Sequence, residues 1–160
     1  MKQHIQVDQF SRRTLLAGIA VVALVPISQA AQAAPARMQV WKDPNCGCCK
    51  DWMTHLQKNG FVTIVIEKGN SAARARLGMP QKFGSCHTAL VQGYVIEGHV
   101  PAADIQRLLK EKPQALGLAV PGMPIGSPGM DDPAYGGRRD PFQVLLVQKD
   151  GSTQIFSSYS

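Results

Sequence analysis

The sequence predicts an α/β fold, a central mixed sheet flanked by helices, with a long Gly/Pro/Met loop ahead of a C-terminal hairpin. Three observations lead there. Short β-branched runs alternate with segments of helical period, the pattern of strands joined through helices. Two pairs of strand-like runs, 87–91 with 94–97 and 142–148 with 153–156, are separated by Gln92-Gly93 and by Lys149-Asp150-Gly151, short turns that make hairpins. Between them, Gly and Pro recur so often through residues 117–141 that no regular element is expected, and so long an irregular loop is usually functional or mobile.

Each element has its own signal. Met38-Gln39-Val40-Trp41 alternates and reads as the first strand. Asp43-Pro44-Asn45 turns the chain into Cys46-Gly47-Cys48-Cys49, and the apolar period Cys49, Trp52, Met53, Leu56 marks a helix from about Cys48 to Asn59, with Gly60 just past its end. Phe61 to Ile66 is a β-branched run, expected to be buried on both faces and parallel to the first strand. Ser71 to Leu77 forms a short helix closed by Gly78, and the first hairpin follows. Pro101 occupies the first position of a helix over 102–112, with Ile105, Leu108 and Leu109 on one face and Pro113 stopping it.

The first 33 residues stand apart from this pattern. Ser11-Arg12-Arg13-Thr14-Leu15-Leu16, an apolar run to about Val25 and the small-x-small site Ala31-Gln32-Ala33 read as a twin-arginine export signal. Retention of the segment as an anchor is the other outcome; the apolar run is too short for an ordinary membrane span. The expected mature chain is one domain over 34–160, periplasmic, with no stable membrane insertion after cleavage. Losing Lys2, Arg12, Arg13 and Asp8 lowers the formal charge from +6 to +4, fourteen Lys and Arg against ten Asp and Glu. That excess is scattered, without aromatic-basic interleaving, which argues against nucleic acid as a partner.

All four cysteines lie in two short stretches, Cys46-Gly47-Cys48-Cys49 and Cys86-His87. Cys46 falls at a helix N-terminus, where unpaired N–H groups and the helix dipole favour a thiolate. A chain of this length can bury a core without disulfides, and neighbouring Cys48 and Cys49 fit a reactive or metal-binding site better than a scaffold. The element order, with Cys-x-x-Cys at the first strand-to-helix junction, is similar to a thioredoxin-like fold. In such folds a cis proline faces the active cysteines; here that position holds Ser85-Cys86, which would bring Cys86 to Cys46 and Cys49.

Longer motifs carry a family resemblance. Cys46-Gly47-Cys48-Cys49-Lys50-x-Trp52, Ser85-Cys86-His87-Thr88-Ala89, Gly93-Tyr94-x-Ile96-Glu97-Gly98-His99-Val100-Pro101 and Pro121-Gly122-Met123-Pro124-x-Gly126-Ser127-Pro128-Gly129-Met130 resemble the CopG-type family of small periplasmic copper-binding proteins, formerly a domain of unknown function. The resemblance spans about Met38 to Phe156. It implies a thioredoxin-like fold, copper bound as Cu(I) by Cys46, Cys48, Cys49 and Cys86, a part in copper resistance, and Cu(I)/Cu(II) exchange, which would make the protein a copper oxidoreductase. Copper ions are the implied ligand, and periplasmic copper chaperones or efflux proteins the implied partners.

Rival readings of the same residues stay open. Thiolates also suit zinc and iron–sulfur clusters, although zinc sites usually show two separated Cys-x-x-Cys pairs. Two structural disulfides would crowd one helix end. Cys46 and Cys49 could serve a thiol–disulfide oxidoreductase as nucleophile and resolving thiol, and passive copper storage or delivery needs no redox step. Helical rotation puts Cys46 and Cys49 on one face and turns Cys48 elsewhere, placing its sulfur to bridge a second copper in a multicopper site. His87, His99, Met123 and Met130 are auxiliary candidates. Strand alternation turns His87 away from Cys86, local backbone is the default partner of His99, and the loop methionines read as a lid. His55 reads as a surface residue and Trp52 as core.

Overall fold

In the computed structural model the described residues are 34–160. The export-signal reading of 1–33 lies outside them. Seven strands form one mixed sheet in the order β2-β1-β3-β4-β5-β6-β7. β1 (Arg37–Lys42) leads through α1 (Gly47–Lys58) to β2 (Val62–Ile66), which lies parallel to it. α2 (Ser71–Arg76) and a 3₁₀ turn at Gln81–Phe83 precede the hairpin of β3 (His87–Val91) and β4 (Tyr94–Glu97). α3 (Ala102–Glu111), β5 (Gly117–Ala119), a 3₁₀ turn at Pro133–Tyr135 within the Gly/Pro loop, and the closing hairpin of β6 (Phe142–Val147) and β7 (Thr153–Tyr159) complete the chain. β3 runs antiparallel to both β1 and β4, an arrangement of the first four strands compatible with the thioredoxin-like reading. Among the described residues no helix is long and apolar enough to cross a membrane.

The sequence pattern and the structure differ in several elements. β2 is an edge strand, so Val62, Ile64 and Val65 stand 40%, 39% and 42% exposed instead of buried on both faces. Its β-branched composition reports strand propensity, which an edge strand shares with a central one. The region expected to be wholly irregular opens with β5, wedged parallel to β4 and antiparallel to β6. That strand is three residues long and begins at a glycine, where a Cβ would lie 1.8 Å from the Val95 carbonyl oxygen. Pro101 stands at the N-cap of α3 with α3 beginning at Ala102, and β7 runs three residues beyond its expected end. The Gln92-Gly93 turn matches expectation: both residues have positive φ, 46° and 88°, as a two-residue hairpin with right-handed strand twist requires.

Strand alternation sends side chains to two faces of the sheet. Met38, Val40, Ala89, Ile96, Leu118 and Val144 pack with Trp52 and Leu56 of α1 and Ile105 and Leu108 of α3. Val95, Ala119 and Val147 pack with Met79 and Phe83 from the segment after α2. The C-terminal ends of β1 and β4 and the start of β3 thus meet beside the N-terminus of α1, where the cysteines lie.

Candidate metal centre

Lys42, the last residue of β1, fixes the loop that carries the first cysteine. It is buried, and its Nζ donates to the carbonyls of Asp43 and Pro44 at 2.8 and 3.3 Å while pairing with Glu67 at 3.0 Å. The Asp43 carboxylate accepts from Asn45 N at 2.9 Å and its carbonyl from Cys46 N at 3.1 Å, so the chain turns tightly into α1. Cys46 is the N-cap, with extended backbone (φ −72°, ψ 100°) and no capping bond from its side chain. Its sulfur is left free to face the next turn, and it is joined to Cys49 by a disulfide.

Cys48 and Cys86 are free thiols. Cys48 Sγ lies 3.6 Å from Cys46 Sγ and 3.8 Å from Cys86 Sγ, and Cys49 Sγ lies 3.7 Å from the Cys86 carbonyl oxygen. All four sulfurs fall within 4.8 Å of one another. Cys48 therefore does not point elsewhere: the helical-wheel argument treats Cys46 as helical, whereas its extended N-cap backbone swings its sulfur back over Cys48. The expected approach of Cys86 to the early trio is observed. The Cys86 thiol is pushed up to about 12 by burial, reinforced by the charge and hydrogen bond of Cys48.

Two buried imidazoles adjoin Cys86. His99 Nε2 lies 3.1 Å from its sulfur and His99 Nδ1 lies 2.9 Å from the Pro128 carbonyl. A carbonyl only accepts, so Nδ1 carries the proton and the Nε2 lone pair faces the sulfur. His87 does not turn away either: its Nδ1 is 3.4 Å from Cys86 Sγ, because these two residues lie at the entry to β3, before regular alternation is established. Its ring sits 4.1 Å from that of Trp52 and 4.9 Å from that of His99. His87 Nε2 is buried with no hydrogen-bond partner among the described residues. Burial lowers the pKa of both histidines, that of His87 further by the neighbouring His99, and keeps them neutral, the form that ligates metal. Cys86, His87 and His99 form a second potential donor group sharing Cys86 with the first.

The Gly/Pro loop closes over this cluster. The Gly129 backbone presses on the first turn of α1, and Pro128 supplies the carbonyl for His99. Met130 is buried with its sulfur 4.0 Å from Tyr135 Oη, whereas Met123 is 51% exposed. Trp52 is both core and wall: it is fully buried, donates from Nε1 to the Val100 carbonyl at 2.9 Å, and lies against His87. His55 is half-buried, and its Nε2 accepts from Ala102 N at 3.1 Å, supplying one of the backbone partners at the start of α3.

The sequence motifs contain Ser85, Thr88 and Glu97 but assign them no role, and Arg74 lies outside every motif. Arg74 of α2 and Glu97 of β4 form a buried ion pair, with Nη2 2.8 Å from Oε1. Ser85 and Thr88, on either side of Cys86-His87, both donate to Glu97. The available hint was a carboxylate ending the apolar strand Tyr94-Val95-Ile96-Glu97, since a buried charge needs a partner.

The donor chemistry suits a soft metal ion such as copper: two free thiols, two further sulfurs held in the Cys46–Cys49 bridge, and two adjacent neutral imidazoles beside an apolar wall. Residues 83–130 match a family model described as a protein of unknown function, DUF411. A solved structure titled copper resistance protein CopG, form 2, is 46% identical, with a TM-score of 0.73, covering 79% of this chain and 99% of that one. Form 1 of the same-named protein is also 46% identical, with a TM-score of 0.72, covering 78% and 98%. No curated protein matches the chain. On this identity over nearly the whole of the solved chains, and with the cysteine cluster in place, the chain belongs to the CopG-type copper resistance family.

Proposed function

We propose that the protein is exported to the periplasm, binds copper as Cu(I) through Cys46, Cys48, Cys49 and Cys86 once the Cys46–Cys49 bridge is reduced, and contributes to copper resistance by Cu(I)/Cu(II) exchange. The observation that carries this reading is the convergence of four sulfurs, from segments nearly forty residues apart, within 4.8 Å. An external dithiol reductant would reduce the bridge by thiol–disulfide exchange, giving up two electrons and two protons and leaving as its own disulfide while Cys46 and Cys49 become thiols, and metal binding would then displace thiol protons. Cys46, Cys48, Cys49 and Cys86 together would hold more than one copper if the thiolates were shared. Bound copper would supply the one-electron couple, its electron passing to or from an external one-electron redox partner. The protein's part is to hold it with thiolates, keep His99 neutral and aimed at Cys86, and exclude water with Trp52 and the loop from Pro121 to Met130. The leader supports export, and copper chaperones or efflux proteins of that compartment are the proposed partners.

Reduced protein loaded with Cu(I) without oxygen should show thiolate-to-copper absorption, and Cys→Ser at positions 46, 49 or 86 should lower the bound copper. Unchanged stoichiometry in all three variants overturns the reading. Copper that stays Cu(I) under mild oxidants would leave storage or delivery as the role.

The disulfide favours a second reading, a thiol–disulfide oxidoreductase with Cys46 as nucleophile and Cys49 as resolving thiol. Insulin reduction by metal-free protein, surviving Cys48→Ser and Cys86→Ser, would select it.

A further inference from the structure

We propose that the buried Arg74–Glu97 pair is a positioning device for Cys86, setting where the late sulfur stands relative to the early three. This deepens the copper reading of the same site, and its test is separable from that reading.

Cys86 stands at a bend between the 3₁₀ turn and β3, where no helix or sheet ladder holds its backbone. The pair supplies the missing constraint. Glu97 Oε1 accepts from Ser85 N at 2.7 Å, and Arg74 Nη2 donates to Ser85 O at 2.6 Å. Both backbone polar groups of the residue before Cys86 are therefore gripped by one ion pair, and the gripped carbonyl belongs to the peptide that leads into Cys86. Asn70 Nδ2 adds a second bond to Ser85 O at 3.0 Å. On the far side, Glu97 Oε2 accepts from Thr88 Oγ1 at 2.6 Å, so the same carboxylate spans the segment that carries Cys86 and His87. Gln81 occupies a further Arg74 nitrogen at 3.2 Å, and the Arg74 Nε–Glu97 Oε1 bond at 2.9 Å completes the pairing.

The choice of a charged pair here needs a reason other than stability. Burying two ions is offset only when every donor and acceptor finds a partner, and apolar residues of similar volume often serve a core as well or better. A guanidinium and a carboxylate can do what apolar residues cannot: bond an N–H and a C=O of one residue with fixed direction. A displacement of Cys86 by the width of one atom would break its 3.8 Å approach to Cys48 and its 3.1 Å approach to His99 together.

Three variants test this: Arg74→Lys, Glu97→Gln, and the double variant Arg74→Met with Glu97→Leu, which keeps an apolar filling but removes the grip. Each is made in the full chain, and also with Cys46, Cys48 and Cys49 changed to serine so that Cys86 is the sole thiol. Val144→Ala, in β6 three strands from β3, serves as the stability control. We expect the variants to melt cooperatively, with the double variant least affected in stability. Their Cu(I) affinity, read by competition with a chromophoric chelator, should fall about 10- to 100-fold, with a shifted thiolate-to-copper band. The alkylation rate of the sole thiol by iodoacetamide should change by about tenfold, without any copper present. The control should lower melting and change neither readout. An unchanged alkylation rate in cooperatively melting variants overturns the proposal, and so does failure of every variant to fold, which would make the pair a folding element. Were the parent protein to bind no Cu(I), the copper reading would fall while the alkylation rates still decided this one.

Discussion

His99 Nε2 faces Cys86 Sγ at 3.1 Å while its Nδ1 proton is committed to the Pro128 carbonyl at 2.9 Å. The loop thus determines which nitrogen lone pair the sulfur meets, and the imidazole cannot turn without losing a buried hydrogen bond. His99→Ala should lower Cu(I) affinity about 10- to 100-fold, as loss of a ligand or of a group orienting one does. A chelator competition titration under reducing conditions measures it, and an affinity equal to that of the parent would remove His99 from the centre.

Gly129 should be irreplaceable for a related reason. Its φ is +83°, and a Cβ there would lie 2.6 Å from Trp52 N and 2.7 Å from the Cys48 carbonyl oxygen, both rigid helix backbone. Gly129→Ala should destabilise the protein by about 2 kcal/mol through combined strain and displacement of the loop. Thermal melting of the metal-free protein tests it. Gly136, whose φ is also positive but whose Cβ would meet nothing, should tolerate alanine with a smaller loss.

These two positions show what was legible in the sequence. The cysteines, the helix they open and the first hairpin follow from spacing and turn chemistry, because those signals are local. The edge position of β2 was not, since Val62-Thr63-Ile64-Val65-Ile66 has the composition of a central strand and only its neighbours decide its exposure. The Cys46 backbone is extended at the N-cap, which reverses the helical-wheel prediction for Cys48. His99 reaches Cys86 from just beyond the end of β4, and Arg74 meets Glu97 across 23 positions. Such contacts depend on the three-dimensional crossing of segments and leave no periodic trace.

Acid should weaken the metal-free fold from about pH 6.5 downward. His55 accepts the Ala102 N–H through Nε2, which it can do only when that nitrogen is unprotonated. Burial lowers its pKa from the usual 6.5, with Asp131 opposing and Lys58 assisting. His87 and His99 are lowered too, chiefly by burial. A folded pKa below the unfolded one means the unfolded chain binds more protons in this range, so the stabilisation is present above pH 6.5 and is lost as pH falls through the folded values. Melting temperatures of metal-free protein, followed from about pH 7.5 to 5, should decline. His55→Gln, which can still accept through its amide oxygen, should flatten part of that slope, and an identical slope would show that His55 does not carry it.

A final prediction separates the far edge of the sheet from the metal centre. Asp104 of α3 is buried and accepts from Ser157 Oγ and from Tyr159 Oη, the latter at 2.7 Å, so it ties the last strand to the helix. Burial, then the hydrogen bond and charge of Asp104, push the Tyr159 hydroxyl up to about 12. Asp104→Ala removes the shared acceptor and should lower stability by about 1–3 kcal/mol, the scale of lost bonds to a charged group. The Tyr159 pKa should move back toward its ordinary value of 10, visible as earlier phenolate absorption in an alkaline titration. β7 lies at the opposite end of the sheet order from β2 and three strands beyond β4, so Cu(I) stoichiometry of the folded variant should equal that of the parent. Loss of copper in Asp104→Ala with the fold intact would mean that the C-terminal hairpin governs the loop over the cysteines, and that the centre extends further across the sheet than its donor atoms do.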